Sequence, residues 1–230
     1  MQQPQHAYIL HKRAYRETSF LVDAFSREQG KISFVAKGAQ RGKSQWRSLL
    51  QPFQALEITA IGKASLKTLQ SCEGAALALR LSGDALYCGM YLNEVLNRVL
   101  HPELPMEGLF DAYVTALDAL NRGDAQQPVL RQFELRLLDE MGYGVSFDVD
   151  YQGDPLRPGQ HYRLLEEQGF VPVMPMRGSL TGDVLNAIAE GNWDAQALSA
   201  AKQLCRTALK PLVGEKPLKS RELFIKRVTT

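Results

Sequence analysis

A chain of 230 residues with 45% hydrophobic and 23% charged side chains is long enough for one large domain or two small ones, with an ordinary apolar core. No apolar run reaches the ~18 residues needed to span a bilayer, and the opening MQQPQHAYILHKR has no apolar stretch of signal length, so a cytoplasmic location is the expectation. The net charge of +2 conceals three blocks: residues 1–72 hold 11 basic and 4 acidic side chains, 73–201 hold 8 and 19, and 202–230 hold 8 and 2. Two basic ends around an acidic middle point to a polyanionic partner for the ends.

The first eighty residues read as strands. HAYILHK, SFLVDAFS, KISFVAKG, FQALEITAIG and LKTLQSCEG are short β-branched and aromatic runs parted by turn signals at Gln29-Gly30 and Gly62-Lys63. Phe20, Val22, Ala24 and Ile32, Phe34, Ala36 alternate with more mixed residues, the mark of strands with one buried face. Five short strands predict a closed barrel of the OB type, because closure removes exposed edges.

From Ser82 the period becomes helical. Ser82 is an N-cap candidate with Asp84 in the first turn, and Leu86, Met90, Leu96, Val99 and Leu100 form the expected buried stripe. A second helix is expected over about 106–121. A third starts around Pro128, carries Leu130, Phe133, Leu137 and Met141, and stops at Gly142. These helices are expected to pack as a small bundle. Residues 143–178 break the pattern and read as an insertion, with HYRLLEEQGFVPV as a hairpin turned at Gln168-Gly169. Helices resume with Thr181 and Asp194 as N-caps and Gly191 and Gly214 as terminators. The predicted class is therefore α+β: a five-stranded OB-fold barrel over 1–80, then an α-helical bundle domain over 81–230 with a small β-hairpin insertion.

The strongest local signal lies after the third strand. Between Gln29 and Leu56 there is no acidic residue, while Lys31, Lys37, Arg41, Lys43 and Arg47 surround Trp46. Cations neutralise phosphates and an aromatic ring can stack on an unpaired base, so Lys37, Arg41, Lys43, Trp46 and Arg47 are the candidate nucleic-acid-binding residues. The alternatives are a solvated basic loop and, for Trp46, a cap on the barrel. VAKGAQRGKSQW superficially resembles a nucleotide-binding loop. Gly38 and Gly42 stand one residue too close for backbone N–H groups to wrap the phosphates of a nucleotide. Near the other end, Lys202, Arg206 and Lys210 are spaced by four beside an apolar strip of Ala201, Cys205, Leu209 and Leu212. Such a basic rim suits an acidic peptide with an apolar terminal side chain, although an ordinary amphipathic helix has the same spacing. Arg131, beside Phe133, can join either arrangement.

Several chemistries find no residues to carry them. Cys72, Cys88 and Cys205 are odd in number, widely spaced and without His at ligand spacing, so no disulfide framework or zinc site is readable and buried thiols are expected. FDVDYQGD begins like a calcium loop but has Gly159 where a bidentate Glu is required. His6, His11, His101 and His161 form no metal pair, and no nucleophile elbow is present. No metal, no cofactor and no enzymatic activity are expected.

LKPLVGEKPLKSRELF (209–224), HAYILHKRAYRETSFLVDAFSREQGKISFVAKGAQR (6–41), LQPF (50–53), LYCGMYLNEVLNRVL (86–100) and FELRLLDEMGYG (133–144) together resemble, in order and position, the RecO family of bacterial recombination mediators. The resemblance covers nearly the whole chain. It implies an OB-fold followed by a helical domain, and a non-enzymatic DNA repair and recombination protein, cytoplasmic and nucleoid-associated. Such proteins bind single- and double-stranded DNA and anneal complementary strands, including those coated by the single-stranded-DNA-binding protein, SSB. With RecR they promote RecA loading in gap repair, and they dock the acidic C-terminal tail of SSB. The resemblance gives Arg131 a role at the tail carboxylates, because it matches the arginine preceding the family's Phe-Glu-Leu segment. Lys202, Arg206 and Lys210 join it by spacing and charge, and Lys216, Lys219 and Arg221 extend the DNA-binding surface. Some members carry a four-cysteine zinc module where residues 143–178 stand here without a cysteine, so zinc is not expected. The rival reading is a non-enzymatic adaptor whose barrel binds a protein and whose basic loop only steers association.

Overall fold

The computed structural model describes residues 3–165 and 168–225. Five strands, β1 (Gln5–Tyr15), β2 (Ser19–Ser26), β3 (Gly30–Ala36), β4 (Leu56–Ile61) and β5 (Leu66–Gly74), close into a barrel of order β1-β2-β3-β5-β4. This is the expected OB topology: all neighbours are antiparallel except β3 and β5, and β1 closes on β4. The alternation seen in the sequence is realised in the core, where Val22, Ala24, Ile32, Phe34 and Ala36 meet Ile9, Leu56, Ile58 and Leu69. A short helix, α1 (Gln45–Leu49), lies between β3 and β4.

β1 is irregular between Ile9 and His11, where its register against β2 shifts. The Ile9 carbonyl there accepts a hydrogen bond from Asn93 Nδ2 at 3.2 Å, and Asn93 Oδ1 accepts the Tyr113 hydroxyl at 2.6 Å. Asn93 belongs to α2 (Gly83–Val99) and Tyr113 to α3 (Glu107–Arg122). A buried amide thus ties both helices to the irregular strand and satisfies its own polar groups in doing so. Around it, Phe110 and Tyr113 pack on Tyr8 and Phe25 with ring centroids 5.3–6.3 Å apart.

The chain divides into two compact units, 1–126 with 212–230 and 127–211. The change from strands to helices falls near residue 80, and α2 and α3 belong to the same unit as the barrel. The reason is the aromatic face of α3, which packs on the barrel. The stripe of α2 differs from expectation: Cys88, Tyr91, Leu92, Val95, Leu96 and Val99 are buried, whereas Met90 is 42% exposed.

The second unit contains α4 (Gln126–Glu140), a sheet of order β7-β6-β8 from β6 (His161–Leu165), β7 (Gly169–Val173) and β8 (Leu180–Thr181), and the helices α5 (Gly182–Ala189) and α6 (Ala195–Val213). β6 and β7 form the expected hairpin. Without a cysteine, the insertion is held by Leu156, Tyr162, Phe170 and Leu185 and by Phe147, whose ring lies tilted against that of Phe170 at 5.5 Å. Asp194 caps α6 through its side chain, accepting the Ala197 N–H at 2.7 Å. The last helix, α7 (Lys219–Ile225), belongs to the first unit.

Candidate nucleic-acid interface

The loop after β3 is a pinned structure. Tight turns bond Ala39 N–H to the Ala36 carbonyl, Arg41 N–H to Gly38 and Ser44 N–H to Arg41, with Gly38 at φ 73°. These N–H groups are therefore committed to the turns and form no open cradle for a nucleotide phosphate. Ala39 inserts into the barrel core, and Trp46 and Leu49 of α1 pack against it. Between these anchors Lys37, Arg41, Lys43 and Arg47 are exposed. Trp46 is only partly exposed and covers the barrel, the cap anticipated as its alternative role.

The β1–β2 turn stands beside this loop. Gln40 donates its backbone N–H to the Thr18 carbonyl at 2.9 Å and its side-chain amide to the Ser19 carbonyl. Lys12 Nζ donates to the Leu50 carbonyl at 2.7 Å and lies 5.3 Å from the Phe20 ring centroid. Its pKa is lowered, first by burial and then by the neighbouring Arg47 charge. Arg13 and Arg16 are exposed, with the Arg16 guanidinium 5.2 Å from the Tyr15 ring. Sequence reasoning missed Lys12, Arg13 and Arg16 because Glu17 and Asp23 interrupt the charge run. The signal was the hairpin, which places residues before position 17 alongside residues after position 36. Lys31 does not join them: half-buried, it donates to the Asn97 carbonyl, and burial lowers its pKa. Among the described residues, Arg13, Arg16, Lys37, Arg41, Lys43 and Arg47 have no salt-bridge partner.

Lys216, Lys219 and Arg221 are exposed and anchored to α2 in the same unit. Arg98 donates to the carbonyls of Lys216 and Pro217, and Glu94 accepts the backbone N–H groups of Lys219 and Ser220 and the Ser220 hydroxyl. Burial alone would raise the Glu94 pKa. The bonds from Ser220, Lys219 and Arg98 outweigh it and hold the carboxyl below its ordinary range. Arg221 lies 5.8 Å from the Tyr91 ring.

In the other unit, Lys202, Arg206 and Lys210 stand exposed along one line of α6, while Ala201, Cys205 and Leu209 are buried beside them. A cavity of about 380 Å³ opens on a different side of that helix, at Leu204 and Ala208, with Leu135, Phe147, Leu164 and Ile188 around it. By the 100° helical step the cation line and this cavity face nearly opposite ways, so the structure does not bring them together. Arg131 is not on the surface either. It is 5% exposed, and its guanidinium donates to Glu134 at 2.8 Å. A peptide would meet it only after breaking that pair. The three cysteines are buried. Burial raises the Cys72 pKa to about 11 and, with Glu134 beside it, pushes the Cys205 thiol higher still. No helix among the described residues is long and apolar enough to cross a membrane.

Two family descriptions match the chain, "Recombination protein O N terminal" over residues 1–78 and "Recombination protein O C terminal" over 80–173. The DNA repair protein RecO of Pseudoalteromonas atlantica is 49% identical over 94% of this chain and 92% of its own length. Those of Vibrio parahaemolyticus and Haemophilus influenzae are 45% and 43% identical, over 96% and 97% of this chain and 92% and 96% of theirs. With a closed five-stranded barrel at one end and similarity over nearly its full length, the chain belongs to the RecO family of DNA repair proteins.

Proposed function

We propose that this protein is a non-enzymatic recombination mediator. It binds single- and double-stranded DNA, anneals complementary strands, including those coated by SSB, and acts with RecR to promote RecA loading in gap repair. The observation that supports this most is the basic end of the barrel, where cations on a loop pinned by backbone turns stand exposed and, among the described residues, without salt-bridge partners. Like charges gathered in one place repel, and a phosphate backbone relieves that repulsion while releasing its counterions. Annealing needs only this neutralisation, which brings two polyanions close enough to pair, so no hydrolysis enters the mechanism. The row Lys202, Arg206 and Lys210 is the proposed contact for the acidic SSB tail.

The test is a salt titration of binding to labelled single-stranded DNA, paired with annealing of complementary oligonucleotides. Binding is expected to fall steeply with salt, with a slope that shallows by about 0.7 for each phosphate contact removed by Lys37→Ala, Arg41→Ala or Lys43→Ala. Absence of binding at low salt would refute the mediator reading and leave an adaptor whose barrel contacts protein.

A further inference from the structure

The barrel has a recess at the opposite end of β1 and β2 from the basic loop. β1 begins there with His6, Ala7 and Tyr8, β2 ends there just before Arg27, and α3 packs on that end with Phe110, Asp111 and Val114. With Ala55, Leu56 and Ala75 they enclose a groove of about 450 Å³, within the range of ligand-binding clefts. Its floor is apolar: Leu56 and Phe110 are buried, while Val114 and Ala75 reach the surface. Leu77, two residues beyond Ala75, is 93% exposed and continues the apolar surface.

One polar group stands in this floor without a partner. Tyr8 is 8% exposed, and its hydroxyl makes no hydrogen bond among the described residues. Burial, and after it the Asp118 charge, raise its pKa, so the group stays an O–H donor. Buried polar groups are as a rule hydrogen-bonded, and a lone hydroxyl in a groove therefore points to an incoming acceptor such as a peptide carbonyl. The rim is acidic. Arg27 is engaged by Asp111, one of whose two bonds spans 3.1 Å, and by Glu107 at 3.6 Å. His6 lies 2.9 Å from Glu28 and 3.8 Å from Glu57, and cross-strand pairing sets Glu73 opposite Glu57. Glu73 and Asp118, the latter one turn along α3 from Val114, have no salt-bridge partner among the described residues. The carboxylates outnumber Arg27 and His6, so this rim has the opposite sign to the basic loop and repels a nucleic-acid backbone.

We propose that this groove docks an extended, cationic segment of a partner protein. A large apolar side chain of the segment lies over Leu56, Phe110 and Val114, a backbone carbonyl accepts from the Tyr8 hydroxyl, and Lys or Arg side chains meet Asp118, Glu73 and Glu57. The apolar floor requires a side chain to bury, and the acidic rim requires positive charge on either side of it. The inference goes beyond the mediator reading and does not depend on it. Roughly 25 Å of strand separates Ala7 from the hairpin tip at Tyr15, so a segment seated here leaves the basic loop open.

The test is an anisotropy titration of the full chain with a labelled, end-blocked peptide, Lys-Arg-Gly-Phe-Gly-Lys-Arg. Two controls replace its Phe with Gly, or its four cationic residues with Glu. The cationic peptide is expected to bind and both controls to fail. Glu73→Ala with Asp118→Ala is expected to weaken binding about tenfold, and Tyr8→Phe about fivefold. Ala75→Trp, whose indole fills the groove, is expected to abolish it. All of these variants are expected to keep the affinity of the unaltered protein for a labelled oligothymidylate. Amide resonances of Ala75 and Val114 in the unaltered protein are expected to shift on addition of the peptide, which tests the placement independently of variant folding. Binding that survives Ala75→Trp, shifts confined to other segments, equal binding of the controls, or no binding of the cationic peptide each overturns the inference. Self-association of the unaltered protein that Ala75→Trp abolishes would make a second copy the occupant and overturn it as well. None of these outcomes alters the mediator reading, which the oligothymidylate titration tests separately.

Discussion

At the scale of single residues, Arg131 shows how burial changes the meaning of a charge. Its spacing to Glu134 and Leu138 puts all three on one stripe of α4, and all three are buried. Removing one member of a buried pair leaves the other charged and desolvated, which typically costs about 3–5 kcal/mol, whereas replacing both with apolar groups is often neutral. Arg131→Ala is therefore expected to lower unfolding stability by roughly that amount, and Arg131→Met with Glu134→Leu to recover most of it. Urea denaturation followed by circular dichroism measures both. A variant as stable as wild type would show that the guanidinium contributes nothing to the fold. The sequence did carry a signal for this arrangement, since an i, i+3, i+7 row of Arg, Glu and Leu on an apolar helix face reads as an internal pair as readily as a binding site.

At the scale of elements, the alternating strands and the basic loop were legible because both are local: period-2 burial and a run without acids need no knowledge of distant residues. The attachment of α7 was not, because its partners Glu94 and Ser220 are 126 positions apart. The Glu94 carboxylate gathers four donors, two from the backbone of the α7 start, one from Ser220 Oγ and one from Arg98. Hydrogen bonds to a charged group are worth about 1.5–3 kcal/mol each when made, so Glu94→Ala is expected to loosen the segment from Gly214 to Ile225. Faster tryptic cleavage after Lys219 and Arg221 would report it, since Pro217 blocks the bond after Lys216. The pH dependence follows from the lowered pKa. A carboxyl depressed in the folded state stabilises the attachment fully above its ordinary value of 4.5, and that contribution is lost as pH falls from there through the depressed folded value. The Ser220 amide resonance is expected to hold its position down to the ordinary carboxylate range and to move only below it. Movement centred above pH 4.5 would contradict the assignment.

At the scale of the molecule, the C-terminal basic block of the sequence is shared between the two units. Both basic ends of the chain contribute to the first unit, while the cation row of α6 stands in the second. If the first unit holds DNA and the second an acidic peptide, their salt responses separate. Lys37→Ala, Arg41→Ala and Lys43→Ala combined are expected to shallow the single-strand slope by about 2, and Lys216→Ala, Lys219→Ala and Arg221→Ala to shallow it further in proportion to the contacts they make. Lys202→Ala, Arg206→Ala and Lys210→Ala combined are expected to leave that slope unchanged and to weaken binding of a peptide carrying the SSB tail sequence. Each exposed charge–carboxylate contact is worth only about 0.2–1 kcal/mol, so the triple change should cost roughly threefold to a hundredfold in peptide affinity. Anisotropy titrations with the two ligands, performed on the same three proteins, give the comparison. A DNA slope that falls in the α6 variant would mean that the strand also runs over the second unit. Unchanged peptide affinity there would place the acidic tail elsewhere, with the cavity at Leu204 and Ala208 as the next surface to alter.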